Sequence, residues 1–168
     1  EGELLNLMGL GFRNIHALDL ISYSPWIELG DMHAMPYKDD EFAVAIMGWC
    51  LAYSSNPRKA ALEAVRVVRD GGIIAVGASS ANTKERAQRL GYSVPIKMRQ
   101  TLAELLGYFE PHVGHLFFSH DIPPSYTENW NLMALFSVKK PPHGSPLSSV
   151  VPSASMIKSD PSLVAAHS

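Results

Sequence analysis

The sequence predicts an α/β domain: a mostly parallel sheet flanked by helices and closed by a C-terminal antiparallel strand pair. Three features carry this. Up to about Lys140, short β-rich runs alternate with helical patterns, the arrangement of a parallel sheet with helices on its faces. The run 42–49 (FAVAIMGW) is continuously apolar, as expected of a strand buried on both faces. Two late β-rich runs, His115 to Ile122 and Asn131 to Lys139, flank a proline-bearing loop at Pro123-Pro124, which suits an antiparallel pair.

Each element has its own signal. Glu3 to Met8 is a short helical pattern that ends at Gly9 and Gly11. Asn14 to Leu20 (NIHALDL) is the first strand, with Asp19 near its end; Trp26 to Leu29 is the second, stopped by Gly30-Asp31. The interval 21–25 is too short for a helix between them. Asn56-Pro57 supplies an N-cap and a proline at the first helical position, and Ala61, Leu62, Val65 and Val68 form the buried stripe of the helix that follows. Asp70-Gly71-Gly72 is expected to end that helix, with Ile73 to Gly77 as the next strand. Thr83 to Leu90 reads as a polar-faced helix ended by Gly91, and Thr101 with Glu104 forms a capping box for another. Residues 1–140 therefore make one domain. Residues 141–168, rich in proline and serine and without apolar periodicity, make a tail or a strap over a protein partner.

Composition narrows the function classes. With 46% hydrophobic and 18% charged residues the chain has the balance of a globule with a real core. Its 14 basic and 16 acidic side chains leave no excess to hold a phosphate backbone, so nucleic acid is not expected as a partner. No apolar run approaches the roughly 20 residues of a membrane span. The single cysteine, Cys50, excludes an internal disulfide framework and suits a reducing compartment, so a cytoplasmic location is expected. His112, His115 and His120 lack the spacing of a metal site on a helix, and no bound metal is expected.

The chemistry-bearing stretches are Gly30-Asp31-Met32-His33-Ala34-Met35-Pro36-Tyr37, then Asp39-Asp40-Glu41-Phe42-Ala43-Val44, and later Arg66-Val67-Val68-Arg69-Asp70-Gly71-Gly72. In this order and spacing they resemble class I, Rossmann-like, S-adenosylmethionine-dependent methyltransferases over roughly residues 3–140. The closest likeness is to the branch that reads GD, LPF, acids, FDVV and later RVLKPGG. The resemblance implies S-adenosylmethionine as cofactor and a small-molecule acceptor. It implies that Asp19, with Leu20 beside it, takes the ribose hydroxyls, because ligands of such sheets lie across the carboxyl ends of the strands. Asp31 takes the exocyclic amine of adenine while the Met32 backbone meets the ring edge. Gly48 and Trp49 lie beside the methionine half.

The sequence departs from the family pattern in identifiable places. The family's opening strand and glycine-rich loop are absent. Gly9-Leu10-Gly11 does not supply the loop, because Phe12 to Asn14 leave no room for a crossover helix before the strand that bears Asp19. The loop is expected before Glu1. The acid of FDVV is Ala43, the proline of PGG is Asp70, and the frequent Glu-His pair appears as Ala52-Tyr53. Two further readings stay open beside methyl transfer: a non-catalytic methyltransferase-like scaffold or interaction module that has lost the cofactor, and, less favoured, a nicotinamide-dependent enzyme, which shares the ribose-binding logic. If methyl transfer occurs, Trp49 or Tyr53 steadies the sulfonium, and His33, Tyr37, His115 and His120 are the candidate bases. The adjacent His120-Asp121 pair is not read as a dyad, since strand neighbours point to opposite faces.

Overall fold

The computed structural model describes residues 2–80, 101–121 and 130–141. The helix expected at Thr83–Leu90, the Pro123-Pro124 loop and the tail from residue 142 onward lie outside the described residues. Helix α1 (Gly2–Gly9) opens the chain, and the left-handed Gly11 (φ 94°) closes its end, where the Phe12 and Gly11 amides bond back to Leu7 and Met8 carbonyls. Strands β1 (Leu18–Asp19) and β2 (Glu28–Leu29) pair in parallel. Strand β3 (Phe42–Gly48), a short 3-10 turn (Leu51–Tyr53), helix α2 (Pro57–Val67), strand β4 (Val68–Ser80), helix α3 (Leu102–Gly107), strand β5 (Val113–His120) and strand β6 (Trp130–Val138) complete the order.

The four long strands form one sheet in the order β3-β4-β6-β5, with β3 and β4 parallel and both contacts of β6 antiparallel. This is the expected α/β sheet with its antiparallel end, though among the described strands it is mixed rather than mostly parallel, since only the β3–β4 pairing of the large sheet is parallel. Helix α2 starts where the sequence says it should: the Asn56 side chain accepts the Lys59 amide at 3.1 Å and Pro57 takes the first turn. Thr101 and Glu104 close both halves of the capping box on α3. Ala60, Ala61, Ala64 and Val65 of α2 and Leu105 of α3 pack against Ile74, Val76, Leu132 and Phe136 of the sheet, and Phe109 meets Phe136 edge-on with centroids 5.1 Å apart.

Three expectations are corrected in detail. The first two strands shrink to two residues each. Asp70-Gly71-Gly72 does not end α2. The helix stops at Val67, where two β-branched residues in a row favour extended backbone, and the Val68 amide closes on the Ala64 carbonyl. The β3–β4 register then jumps from Phe42↔Val68 to Val44↔Ile73, so 69–72 bulge out of the ladder around the left-handed Gly71 (φ 70°). Finally, β3 is not buried on both faces: among the described residues it is a sheet edge, with Val44 50% and Ile46 56% exposed.

The core assignment gives a direct contrast. Phe136→Ala is expected to destabilise the domain by about 3–5 kcal/mol, whereas Phe117→Ala, at a position 54% exposed on β5, is expected to cost no more than about 0.5 kcal/mol. Urea midpoints of the two variants check this, and equal losses would place Phe117 in a core that the described residues do not reveal.

Candidate functional site

The carboxyl ends of β1, β2 and β3 converge. In the parallel β1–β2 pair Asp19 stands opposite Leu29, and the Gly30 amide donates to the Asp19 carbonyl at 2.9 Å. Asp31 follows one residue later, so the two acids expected to grip one ligand sit at the ends of neighbouring strands and on one rim. Beside them β3 ends at Gly48. A Cβ there would lie 2.8 Å from the Glu3 carboxylate, so α1 brings an acid against this strand end. The Cys50 thiol just beyond is pushed up in pKa, first by burial and also by the nearby charges of Glu3 and Asp19. That shared influence ties the β1 and β3 ends to one rim.

At the opposite ends of these strands an aromatic cluster holds β1 and β2 against β3. His16, just before β1, meets Phe42 at 5.5 Å and Tyr37 at 5.7 Å, and its Nδ1 lies 2.8 Å from the Glu28 carboxylate. Tyr37 donates its hydroxyl to Glu28 at 3.3 Å; burial, then the Glu28 charge, push its pKa up to about 12. Its hydroxyl is thus engaged with Glu28 at the end of the strands away from Asp19 and Asp31.

The six residues expected to bind the cofactor take definite places. Asp19 ends β1, and its Oδ1 accepts the Ile21 amide at 3.4 Å; Leu20 follows it, exposed. Asp31 opens the turn after β2, while Met32 packs on the core. Gly48 closes β3, and Trp49 adopts left-handed backbone (φ 56°), uncommon for a bulky side chain. This turns its indole back over β4, where it packs 3.6 Å from the space beside Gly77, and its amide donates to the Gly77 carbonyl at 3.0 Å. Trp49 remains 38% exposed, so it is neither wholly core nor wholly free. Tyr53 is exposed on the 3-10 turn. His115 and His120 lie on β5, at the far edge of the sheet from β3, and His115 packs against Phe117 with centroids 4.8 Å apart. Among the described residues no cluster of histidine, cysteine and acids has the makings of a metal site.

Two parts of the site escaped the sequence reading. Asp31 Oδ1 accepts the His33 amide at 2.8 Å and lies 2.5 Å from His33 Nδ1, while His33 Nε2 lies 2.6 Å from Ser54 Oγ. The amide bond, then the ring, hold the Asp31 carboxyl below the ordinary aspartate range. The second is a clamp on the turn that follows. Glu63 accepts the Met35 amide at 2.8 Å and two bonds from Arg66; Arg66 also donates to the Tyr37 and Met35 carbonyls and to Asp39. The i,i+3 spacing of Glu63 and Arg66 was the available signal; Ser54, two residues before the Asn56 cap, gave none. A cavity of about 430 Å³ opens beside the clamp, lined by His33, Asn56, Arg58, Lys59, Leu62, Glu63 and Arg66.

With the geometry in place, comparison with known proteins is informative. Residues 12–76 match the family model described as a methyltransferase domain. No curated protein matches the chain in sequence. Solved structures share its fold. A chain of the Haloferax volcanii Trm112 methyltransferase activator complex is 16% identical, with a TM-score of 0.60, over 84% of this chain and 79% of that one. The PH0226 protein of Pyrococcus horikoshii OT3 is 13% identical, with a TM-score of 0.58, over 82% and 77% of the two chains. A protein solved in connection with disulfide-to-thioacetal conversion in echinomycin biosynthesis is 17% identical, with a TM-score of 0.56, over 82% and 71%.

The clamp predicts a pH dependence with a definite sign. Hydrogen bonds from Arg66, and then that of the Met35 amide, lower the Glu63 pKa against the opposing effect of burial. A depressed carboxyl stabilises the fold above its unfolded pKa of about 4.3, and that contribution fades as pH falls through the lower folded value. Glu63→Gln is therefore expected to cost about 1.5–3 kcal/mol at pH 7, with the difference from the unaltered protein shrinking steadily below about pH 4. Denaturant titrations at a series of pH values measure it; a difference that grows on acidification would contradict the sign.

Proposed function

We propose that the protein, whose residues 12–76 match a methyltransferase-domain model, is a class I methyltransferase that transfers a methyl group from S-adenosylmethionine to a small-molecule acceptor. The observation that supports the reading is the parallel β1–β2 register, which sets Asp19 opposite Leu29, two residues before Asp31. The residues present fit the cofactor. Two carboxylates, acceptors only, face the needs of ribose hydroxyls and of an adenine amine. Glu3, Asp19 and Asp31 make the rim acidic, which favours a ligand that carries a sulfonium and an ammonium. Gly48 leaves its strand end without a side chain.

When bound, S-adenosylmethionine supplies an electrophilic methyl group on sulfur. What remains for the chain is to bind, orient and exclude water, because in-line displacement at a methyl carbon depends chiefly on positioning. In this reading Asp19, with Leu20 alongside, holds the ribose; Asp31 and the Met32 backbone hold the adenine; Gly48 and Trp49 flank the methionine half, where the indole offers a face to the sulfonium. Among the described residues no strand pairs with the outer edge of β3, so a further strand bearing the family's glycine loop would find a place there. Retention of both ligand-facing acids favours methyl transfer over a scaffold that has dispensed with the cofactor.

A protein partner held through residues 141–168 belongs to the same proposal. The Haloferax neighbour, solved with an activator, is a precedent for a partner on this fold. No helix among the described residues is long and apolar enough to cross a membrane, and the lone cysteine suits a cytoplasmic setting.

Asp19→Ala is expected to weaken binding of S-adenosylmethionine to the full-length protein by at least about tenfold, since a pair of charge-assisted bonds is worth about 1.5–3 kcal/mol. Isothermal titration checks it: an unchanged dissociation constant would overturn the ribose-binding role of Asp19, and no binding to the unaltered protein would overturn the cofactor assignment.

A further inference from the structure

The bonds around His33 can be assigned by elimination. The Asp31 carboxylate only accepts, so the ring nitrogen 2.5 Å from it, Nδ1, carries the proton. In the neutral ring Nε2 is then an acceptor, and the Ser54 hydroxyl, 2.6 Å away, donates to it. Ser54 Oγ in turn accepts the Asn56 amide at 3.0 Å. A directed chain results, running from the Asn56 amide through the Ser54 hydroxyl and the His33 imidazole to Asp31. It joins the loop after β3, at the entrance to α2, to the turn after β2, across 21 residues of sequence.

Both bonds that reach Asp31, from the His33 amide and from its ring, fall on Oδ1. They fix the plane of the carboxylate and leave Oδ2 as the oxygen for a ligand. Exposure follows the same division: the imidazole side chain is only 15% exposed and the carboxylate 50%, so the anchored part is inside and the accepting part faces out. An exposed aspartate with two free torsions would lose entropy on meeting a ligand; one already oriented loses less.

We propose that His33 and Ser54 are positioning residues that aim Asp31 Oδ2 at the exocyclic amine of an adenine ring, and so set the preference for an aminopurine ligand. The inference rests on the cofactor reading above and deepens it. His33 is thereby removed from the candidate bases: both ring nitrogens are engaged, and its work is orientation. The relay also explains why the turn sequence Gly30-Asp31-Met32-His33 needs a partner as distant as Ser54.

The test measures preference rather than affinity alone. S-adenosylhomocysteine and S-inosylhomocysteine, which carries a carbonyl in place of the amine, are titrated into the full-length protein and its Ser54→Ala, Ser54→Thr and Asp31→Ala variants. The unaltered protein is expected to prefer the adenosyl ligand by about tenfold or more. Ser54→Ala should cut that preference about three- to fivefold, Ser54→Thr should restore it, and Asp31→Ala should abolish it. Loss of affinity for both ligands alike in Ser54→Ala, or no loss, overturns the positioning role while the cofactor reading stands. A preference unchanged in Asp31→Ala overturns the inference while the cofactor reading stands, and an unaltered protein that takes up neither ligand overturns both. Covalent capture of Ser54 by a fluorophosphonate would identify a nucleophile instead and also overturn the proposal.

Discussion

Arg66 is the side chain on which the arrangement of the site depends. From the last turn of α2 its guanidinium reaches Glu63 through two bonds, the Met35 and Tyr37 carbonyls, and Asp39, so one planar group closes the whole turn between β2 and β3 against the helix. Its pKa is raised above an already high value, first by Glu63 and then by Asp39, which means the charge is never lost. The backbone beneath it is also engaged: the Arg66 carbonyl accepts the Asp40 amide and the Lys140 ammonium, and Lys140 pairs with Asp40 as well. The helix end, the turn and the end of β6 thus meet at one residue, and a lysine there could not reproduce the fork of bonds.

That clamp matters because the sheet itself does little to hold β1 and β2. They are two residues each, they pair only with one another, and no ladder joins them to β3 among the described residues. What binds them to the domain is side-chain chemistry: the His16, Tyr37 and Phe42 rings with Glu28 at one end, and the Asp31–His33–Ser54 chain at the other. The two edges of the large sheet also differ. Strand β5 is broken by two register shifts, which twist an edge away from further pairing. Strand β3 is regular from Val44 to Gly48, uncharged, and exposes Val44 and Ile46. An edge of that kind is built to be paired.

The order of elements was readable from the sequence because it rests on local physics. Asn56-Pro57, the Thr101/Glu104 box and the Gly9/Gly11 stop are each satisfied within a few residues, and the structure uses all of them as written. Boundaries failed where tertiary pairing decides. Asp70-Gly71-Gly72 looked like a helix terminator but serves as a bulge, because Val68 is claimed by Phe42 from another strand. The buried reading of β3 failed for a similar reason: an apolar run records what a strand is made to be covered by, not whether the cover is present. In the site, Asp19 and Asp31 were singled out through the family resemblance, and the positions of their backbones, at the end of β1 and just after β2, follow from the local strand signals. Ser54 was not, since its role arises only when two loops 21 residues apart come within hydrogen-bond reach.

The consequence for function lies in where rigidity comes from. In a sheet with long central strands, residues at the strand ends inherit their positions from the ladder. Here Asp19 ends, and Asp31 follows, a strand too short for that, and their placement passes instead through charged and aromatic contacts at the two ends of the β1–β2 pair. Such contacts are directional and individually worth only about 0.5–3 kcal/mol, so loosening one of them shifts an acid by a fraction of a bond length without unfolding the core packed between α2 and β6. The candidate site and the core are therefore held by different interactions: the core keeps the fold, while Arg66 and His33 hold the turn that carries Asp31.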